Sequence, residues 1–274
     1  MNPFDYSAEQ LEKEANALRR TVIKMIVGAG SGHPAGALGM ADIVSVLYFK
    51  ILNHNPTDPK KEDRDRVILS NGHVCPLLYA ALASAGYFPK EELAGFRKLG
   101  NKLQGHPSRA DFDLIEASSG SLGHGLSVAC GMALAAQQEQ QTHKIWCLMS
   151  DAEHQEGSLW EAAMFAAKYK LKNLKVIVDV NNIQLSGDVD QVMPLDLLKE
   201  RYENFGWQVA EVDGHNIEGL LTKIEQANNF TNGPFVVLAK TISGKGVSFM
   251  EGKWQWHGKA PTAEESRKAL EELS

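Results

Sequence analysis

The chain has 274 residues, 43% hydrophobic and 23% charged, the proportions of an ordinary folded domain rather than of a disordered segment. Its net charge of −6 leaves no basic excess to neutralise nucleic-acid phosphates, and no stretch reaches the roughly 20 apolar residues of a membrane-spanning helix. Cys75, Cys130 and Cys147 are too scattered for a disulfide framework, and the N-terminus lacks the regions of a signal peptide, so a reducing cytoplasm is the expected location.

In chain order, Ser7 and Gln10 predict a capping box that opens a first helix, carried by Leu11, Leu18, Val22, Met25 and Ile26 with Gly28 as its stop. A glycine-rich loop through His33 and Pro34 follows, then a mostly buried helix over 40–51. Residues 66–70 read as a short strand ending in Asn71-Gly72-His73, ahead of an apolar helix through Ala85. The segment 88–116 is charged and loop-rich, with Gly105-His106-Pro107 inside it. A glycine and serine turn over 118–125 leads into a small-residue helix over 126–137. Beyond it, strands over 145–149, 174–180, 207–212 and 234–240 alternate with helices over 159–169, 195–204 and 219–227. That alternation predicts an α/β fold with a mostly parallel sheet flanked by helices. Thr262 and Glu265 predict a capping box for a charged last helix. No repeat or low-complexity linker divides the chain, so residues 1–274 are expected to form a single domain.

The glycine-rich loops each precede a helix, where exposed backbone N–H groups cradle anions. His33, His73, His106 and His257 sit in or beside such loops. Solvation explains any one of them, and explains four together less well; His73 is also compatible with a helix cap. Asp151 and Asn181 each follow a predicted strand, one βαβ unit apart, so adjacent parallel strands would bring a carboxylate and an amide together at their carboxyl ends. Hard oxygen donors of this kind suit a divalent cation that also takes phosphate oxygens. The spacing alone fits an N-cap aspartate and a turn asparagine equally well.

The run from Asp151-Ala-Glu-His-Gln-Glu156-Gly157 through Glu161 to Asp179-Val-Asn181-Asn-Ile183 resembles the thiamine diphosphate motif of transketolases. Ser31-Gly32-His33-Pro34, Ser70-Asn71-Gly72-His73, Gly105-His106-Pro107, Gly120-Ser-Leu-Gly123 and Trp256-His257-Gly258 resemble further stations of that family in the same order. The resemblance implies a thiamine-diphosphate-binding fold, of which this chain is the diphosphate-binding half. It implies that Asp151, Asn181 and the Ile183 carbonyl hold Mg2+ or Ca2+ against the diphosphate. His33, His106 and His257 would be catalytic, with His33 and His257 shuttling protons and His106 bonding the donor's C1 hydroxyl. His73, Gly120, Leu122, Ala152, Glu156 and Leu185 would contact the cofactor together with Asp151 and Asn181. Family glutamates equivalent to Glu156 and Glu161 meet across a subunit interface, although Glu161 also reads as a solvated helix charge.

The chain departs from the family where Ser150 and Ala152 replace the glycines of Gly-Asp-Gly, and where His124 and His154 stand. His54, His143 and His215 match no station and are expected at the surface. The resemblance further implies a separate C-terminal transketolase subunit supplying the aminopyrimidine-binding domain, an α2β2 assembly with homodimer contacts, and sugar phosphate substrates. The helix over 126–137 and the apolar stretch 160–167 are candidate interfaces, or ordinary core. The alternatives are another thiamine-dependent ketol transferase, such as a 1-deoxyxylulose-5-phosphate synthase fragment or a specialised transketolase for unusual sugars, and a cofactor-free regulatory descendant.

Overall fold

Leu174–Val180 (β3), with the sequence LKVIVDV, is buried along almost its whole length, and a β-branched run of this kind suits a strand covered on both faces. The computed structural model, which describes residues 2–274, places it at the centre of a five-stranded sheet. Arg66–Leu69 (β1), Ile145–Ser150 (β2), β3, Phe235–Lys240 (β7) and Gln208–Asp213 (β6) lie in the order β1-β2-β3-β7-β6, and every pairing is parallel. Alternate residues feed opposite faces: Ile145, Cys147 and Met149 of β2 join one apolar cluster, and Trp146 and Leu148 the other.

One face is covered by Ala8–Ala29 (α1), Pro34–Gly39 (α2), Ala41–Val46 (α3), Cys75–Ser84 (α4) and Ile217–Asn229 (α9). The other is covered by His124–Gln138 (α5), Gly157–Lys168 (α6) and Leu198–Asn204 (α8). Ala263–Glu272 (α10) closes the chain against α1, where Asn16 and Arg20 donate to the Leu273 and Leu270 carbonyls. The capping boxes at Ser7 and Thr262 both form.

Several boundaries differ from the sequence expectation. Helix α1 runs through Gly28, and Gly30 ends it with φ +68°, a left-handed value that glycine adopts without strain. The helix expected over 40–51 is α3 followed by a π-helical turn, Leu47–Ile51, and the unforeseen α2 begins directly after His33 with Pro34 in its first turn. In place of one helix over 195–204 there are Val189–Val192 (α7) and α8, separated by Pro194 and by Leu197 at φ +59°. The two-stranded hairpin Ile183–Gln184 (β4) and Gly187–Asp188 (β5) is a further element that periodicity does not predict.

The surface expectation is overturned for His54 and His215 and not for His143. His54 is buried between the Tyr87 hydroxyl and the Tyr48 carbonyl, at 2.8 Å from each. His215 donates from Nδ1 to Asp42 at 2.7 Å and accepts the Ile242 N–H at Nε2, within a buried network that includes Arg19. His143 is half-buried. Satisfying ring nitrogens inside the fold requires partners far along the chain, which sequence spacing does not display.

Candidate active site

Parallel register fixes the site. Ser150, the last residue of β2, lies level with Asp179 of β3, and the Asp151 N–H extends the ladder to the Asp179 carbonyl at 3.0 Å. Asp151 and Asn181 therefore emerge side by side at the carboxyl edge of the sheet, where ligands bind in open α/β folds. Asp151 is buried; its carboxylate accepts N–H bonds from Ala152 at 2.8 Å and Asn182 at 2.6 Å. Asn181 donates to Asp179 at 2.6 Å and accepts the Ile183 N–H at 2.8 Å. Asn182 turns the chain in the left-handed region, φ +58°, into the β4–β5 hairpin that carries the Ile183 carbonyl.

Above these groups lies a cavity of about 300 Å3. His33, His73, His106 and His257 wall it with Gly120, Leu122, Ser150, Ala152, Gln155, Glu156, Asn181, Ile183, Gln184 and Leu185. Ring centroids stand 5.3 Å apart for His33 and His73, 5.6 Å for His33 and His257, 6.1 Å for His33 and His106, and 5.0 Å for His73 and His257. Of the residues expected to form the site, only Asp151 is absent from the wall, being sunk beneath it. No lysine or arginine lines the cavity among the described residues.

Burial lowers the proton affinity of all four rings. It pushes His33 down to about 4, reinforced by His257, Arg97 and His106, and holds His73 well below the ordinary range. His106 and His257 are lowered by the same cause. At neutral pH the four rings are therefore neutral, each with one nitrogen that accepts a proton. The His33 Nδ1 is buried without a partner, so the wall retains an unmet polar group. Burial raises Asp151 to about 6 and Asp179 to about 7, and no lysine or arginine pairs with either among the described residues. Two neighbouring buried carboxylates with an amide and a carbonyl oxygen are a cation-deficient oxygen set, and they fit a divalent metal bridging to a diphosphate.

Glu153, which no sequence motif singles out, is fully buried beneath the same loop. It accepts the Ser70 hydroxyl, the Gly123 N–H at 2.9 Å and the Ser150 N–H at 3.1 Å, tying three loops together. A carboxylate two residues after Asp151, inside the run that resembles the thiamine diphosphate motif, is the one signal that could have found it. His154 is also structural: its Nδ1 lies 2.9 Å from the Asp151 carbonyl and its Nε2 2.9 Å from the Tyr202 hydroxyl. His124 is exposed at the first position of α5. Gly123 precedes it at φ +79°, where an added Cβ would sit 2.6 Å from Glu156 Cβ. Glu156 and Glu161 both lie exposed on or beside α6, and Leu185 is exposed at the hairpin tip.

A parallel α/β sheet with this histidine-walled cavity at its carboxyl edge defines an open α/β ligand-binding fold, and comparison with known proteins gives its family. Residues 11–273 match the family described as transketolase, thiamine diphosphate binding domain, and the chain belongs to that family. It is 41% identical to the first of the named subunits of apulose-4-phosphate transketolase from Actinobacillus succinogenes, over 100% of this chain and 99% of that protein. It is 39% identical to the 6-deoxy-6-sulfo-D-fructose transketolase subunit SqwG of a Clostridium species, covering 96% of each. Among solved structures, Campylobacter jejuni transketolase superposes with a TM-score of 0.90 at 38% identity, over 96% of this chain and 43% of that one. In extent the chain therefore corresponds to one subunit of transferases whose transketolase is divided between chains, and to less than half of the undivided enzymes.

Proposed function

We propose that this chain, assembled with a separate C-terminal subunit, transfers a two-carbon ketol unit from a ketose phosphate to an aldose phosphate using thiamine diphosphate and Mg2+ or Ca2+. The observation that carries the reading is the convergence of four neutral histidines on a cavity floored by the Asp151, Asn181 and Ile183 oxygens. When bound, thiamine diphosphate supplies the carbon that stabilises negative charge as the donor's carbon–carbon bond breaks. The Asp151 carboxylate, the Asn181 amide and the Ile183 carbonyl would hold the cation. Ala152, Glu156 and Leu185 border the same space, His73 would contact the cofactor, and Gly120 and Leu122 would meet its aminopyrimidine side. His33 and His257 take and return sugar hydroxyl protons, and His106 orients the donor's C1 hydroxyl, roles that need a neutral imidazole at working pH. The assembly we infer is α2β2, with homodimer contacts between copies of this chain, in the cytoplasm and with neither nucleic acid nor membrane as partner; no helix of the described residues is long and apolar enough to cross one.

The test is a coupled assay with xylulose 5-phosphate as donor and ribose 5-phosphate as acceptor, with and without the partner. Turnover only in the mixture supports the reading; turnover by this chain alone refutes the divided assembly. The names of the relatives matched along their whole length favour one variant of the reading, a specialised sugar, so apulose 4-phosphate and 6-deoxy-6-sulfofructose belong in the substrate panel. A rise in melting temperature on adding thiamine diphosphate with magnesium separates all these readings from a cofactor-free regulatory descendant.

A further inference from the structure

Arg97 lies behind the histidine wall in a conformation that costs free energy. Its φ is +57°, a left-handed value uncommon outside glycine, and strain of this kind persists only where surrounding structure fixes it. Here the Arg97 N–H is bonded to the Leu103 carbonyl at 2.9 Å, and the neighbouring Lys98 ammonium is anchored on the Gly28 carbonyl at 2.7 Å. The turn sends the guanidinium inward over the Phe96 ring, 5.6 Å from its centroid. Nη1 reaches the Ser31 hydroxyl at 3.4 Å and Nη2 the Gly105 carbonyl at 3.3 Å. Ser31 stands two residues before His33, and Gly105 immediately before His106. Gly105 has to be glycine for this contact, because a Cβ there would lie 2.7 Å from Arg97 Cζ. Among the described residues no carboxylate pairs with Arg97, and its buried Nε has no partner. An arginine held in a strained turn without a counter-ion is poor material for stability and well formed as a bridge between two loops.

We propose that Arg97 is a positioning residue for His33 and His106, its guanidinium bridging the two loops from which those rings project and setting their separation. The assignment rests on the transketolase reading above for its consequence in catalysis, though not for its geometry. Its full positive charge also favours the neutral form of both rings, adding to the larger effect of burial. The other titratable groups facing His33 are His73, His106 and His257, and Cys75 faces the Gly105 carbonyl from α4. His257 shows no such influence from Arg97, so it is an internal control.

The experiment is a carbon-13 NMR titration of labelled histidine rings in the full chain, followed by pH–rate profiles of the complex with its partner. In Arg97→Met, His33 and His106 are expected to protonate at a pH higher by roughly half to one unit, the scale of one removed charge in a part-buried site, while His257 stays unchanged. The acid limb of kcat/KM moves up with them, and kcat falls by roughly 10- to 100-fold from misplacement of the rings. Arg97→Lys keeps a charge without the planar fork, so it restores the acid limb and leaves kcat low. Unchanged titration of His33 and His106 in Arg97→Met overturns the proposal, as does a shift shared equally by His257 or full recovery of kcat by lysine. The titration needs no turnover. A shift confined to His33 and His106, in a complex that transfers no ketol unit, upholds the positioning role and refutes the transketolase reading instead.

Discussion

Asp179 does not line the cavity, yet it decides how Asn181 faces it. The Asn181 amide donates to the Asp179 carboxylate at 2.6 Å, which leaves the Asn181 carbonyl oxygen turned toward the Ile183 N–H, where the proposed cation would sit. Partners of this outer kind typically alter metal affinity by about 10- to 100-fold when replaced. Asp179→Asn is accordingly expected to weaken magnesium-dependent cofactor binding within that range, measured by calorimetry, with little change in metal-free melting temperature. The contrast between Asp179 and the histidines shows what the sequence discloses at this scale. His33, His73, His106 and His257 stand in glycine-rich loops, where a ring has few reasons to be unless it meets a ligand. Asp179 sits inside the apolar run of β3, and Glu153 lies within the motif-like run with no role of its own assigned there, so their roles emerge only once the strands are in register. His215 is the extreme case, since its partner Asp42 lies 173 positions away.

Helices α5 and α6 pack against one another and use their small residues for the purpose. Leu126, Ala129, Cys130 and Ala133 of α5 and Leu159, Ala162, Ala163 and Ala166 of α6 are buried together. Their outward faces are apolar too: Val128 is 40% exposed, Met164 50% and Phe165 36%, with Tyr169 beyond the end of α6 at 46%. An aromatic and methionine surface next to Glu161 is suited to burial against a second copy of the chain. Met164→Glu combined with Phe165→Glu places two like charges in that face, and self-association read by sedimentation velocity is expected to fall at least tenfold while the monomer's melting temperature holds. Element boundaries are legible in the sequence where local chemistry sets them, as at the two capping boxes and along β3. They are not legible at α2 and at the β4–β5 hairpin, where a loop-like composition is held in place by contacts from other segments.

At the scale of the whole molecule, a buried lysine far from the cavity couples folding to pH. Lys175 opens β3 on the side opposite the strand ends, fully buried, with its amine on the Phe230 carbonyl at 2.7 Å. Burial lowers its proton affinity from the ordinary 10.5 to about 7, so folding expels a proton between those values. In the unfolded chain this lysine holds its proton across that window, so its contribution to stability rises with pH from about 7 toward 10. Lys175→Met removes the titrating group; its melting temperature should exceed that of the unmodified chain at pH 7 and stay flat where the other climbs.

The absence of lysine and arginine from the cavity wall has a kinetic consequence. A chain of net charge −6, whose cavity wall carries the Glu156 carboxylate and no lysine or arginine among the described residues, repels a diphosphate during diffusional approach. Screening weakens repulsion as ionic strength grows. In stopped-flow mixing, the cofactor's bimolecular rate constant should therefore climb with added potassium chloride when divalent ions are scarce. It should lose that dependence if magnesium, loaded first, occupies the proposed site at Asp151 and Asn181, because the bound cation would offset the repulsion.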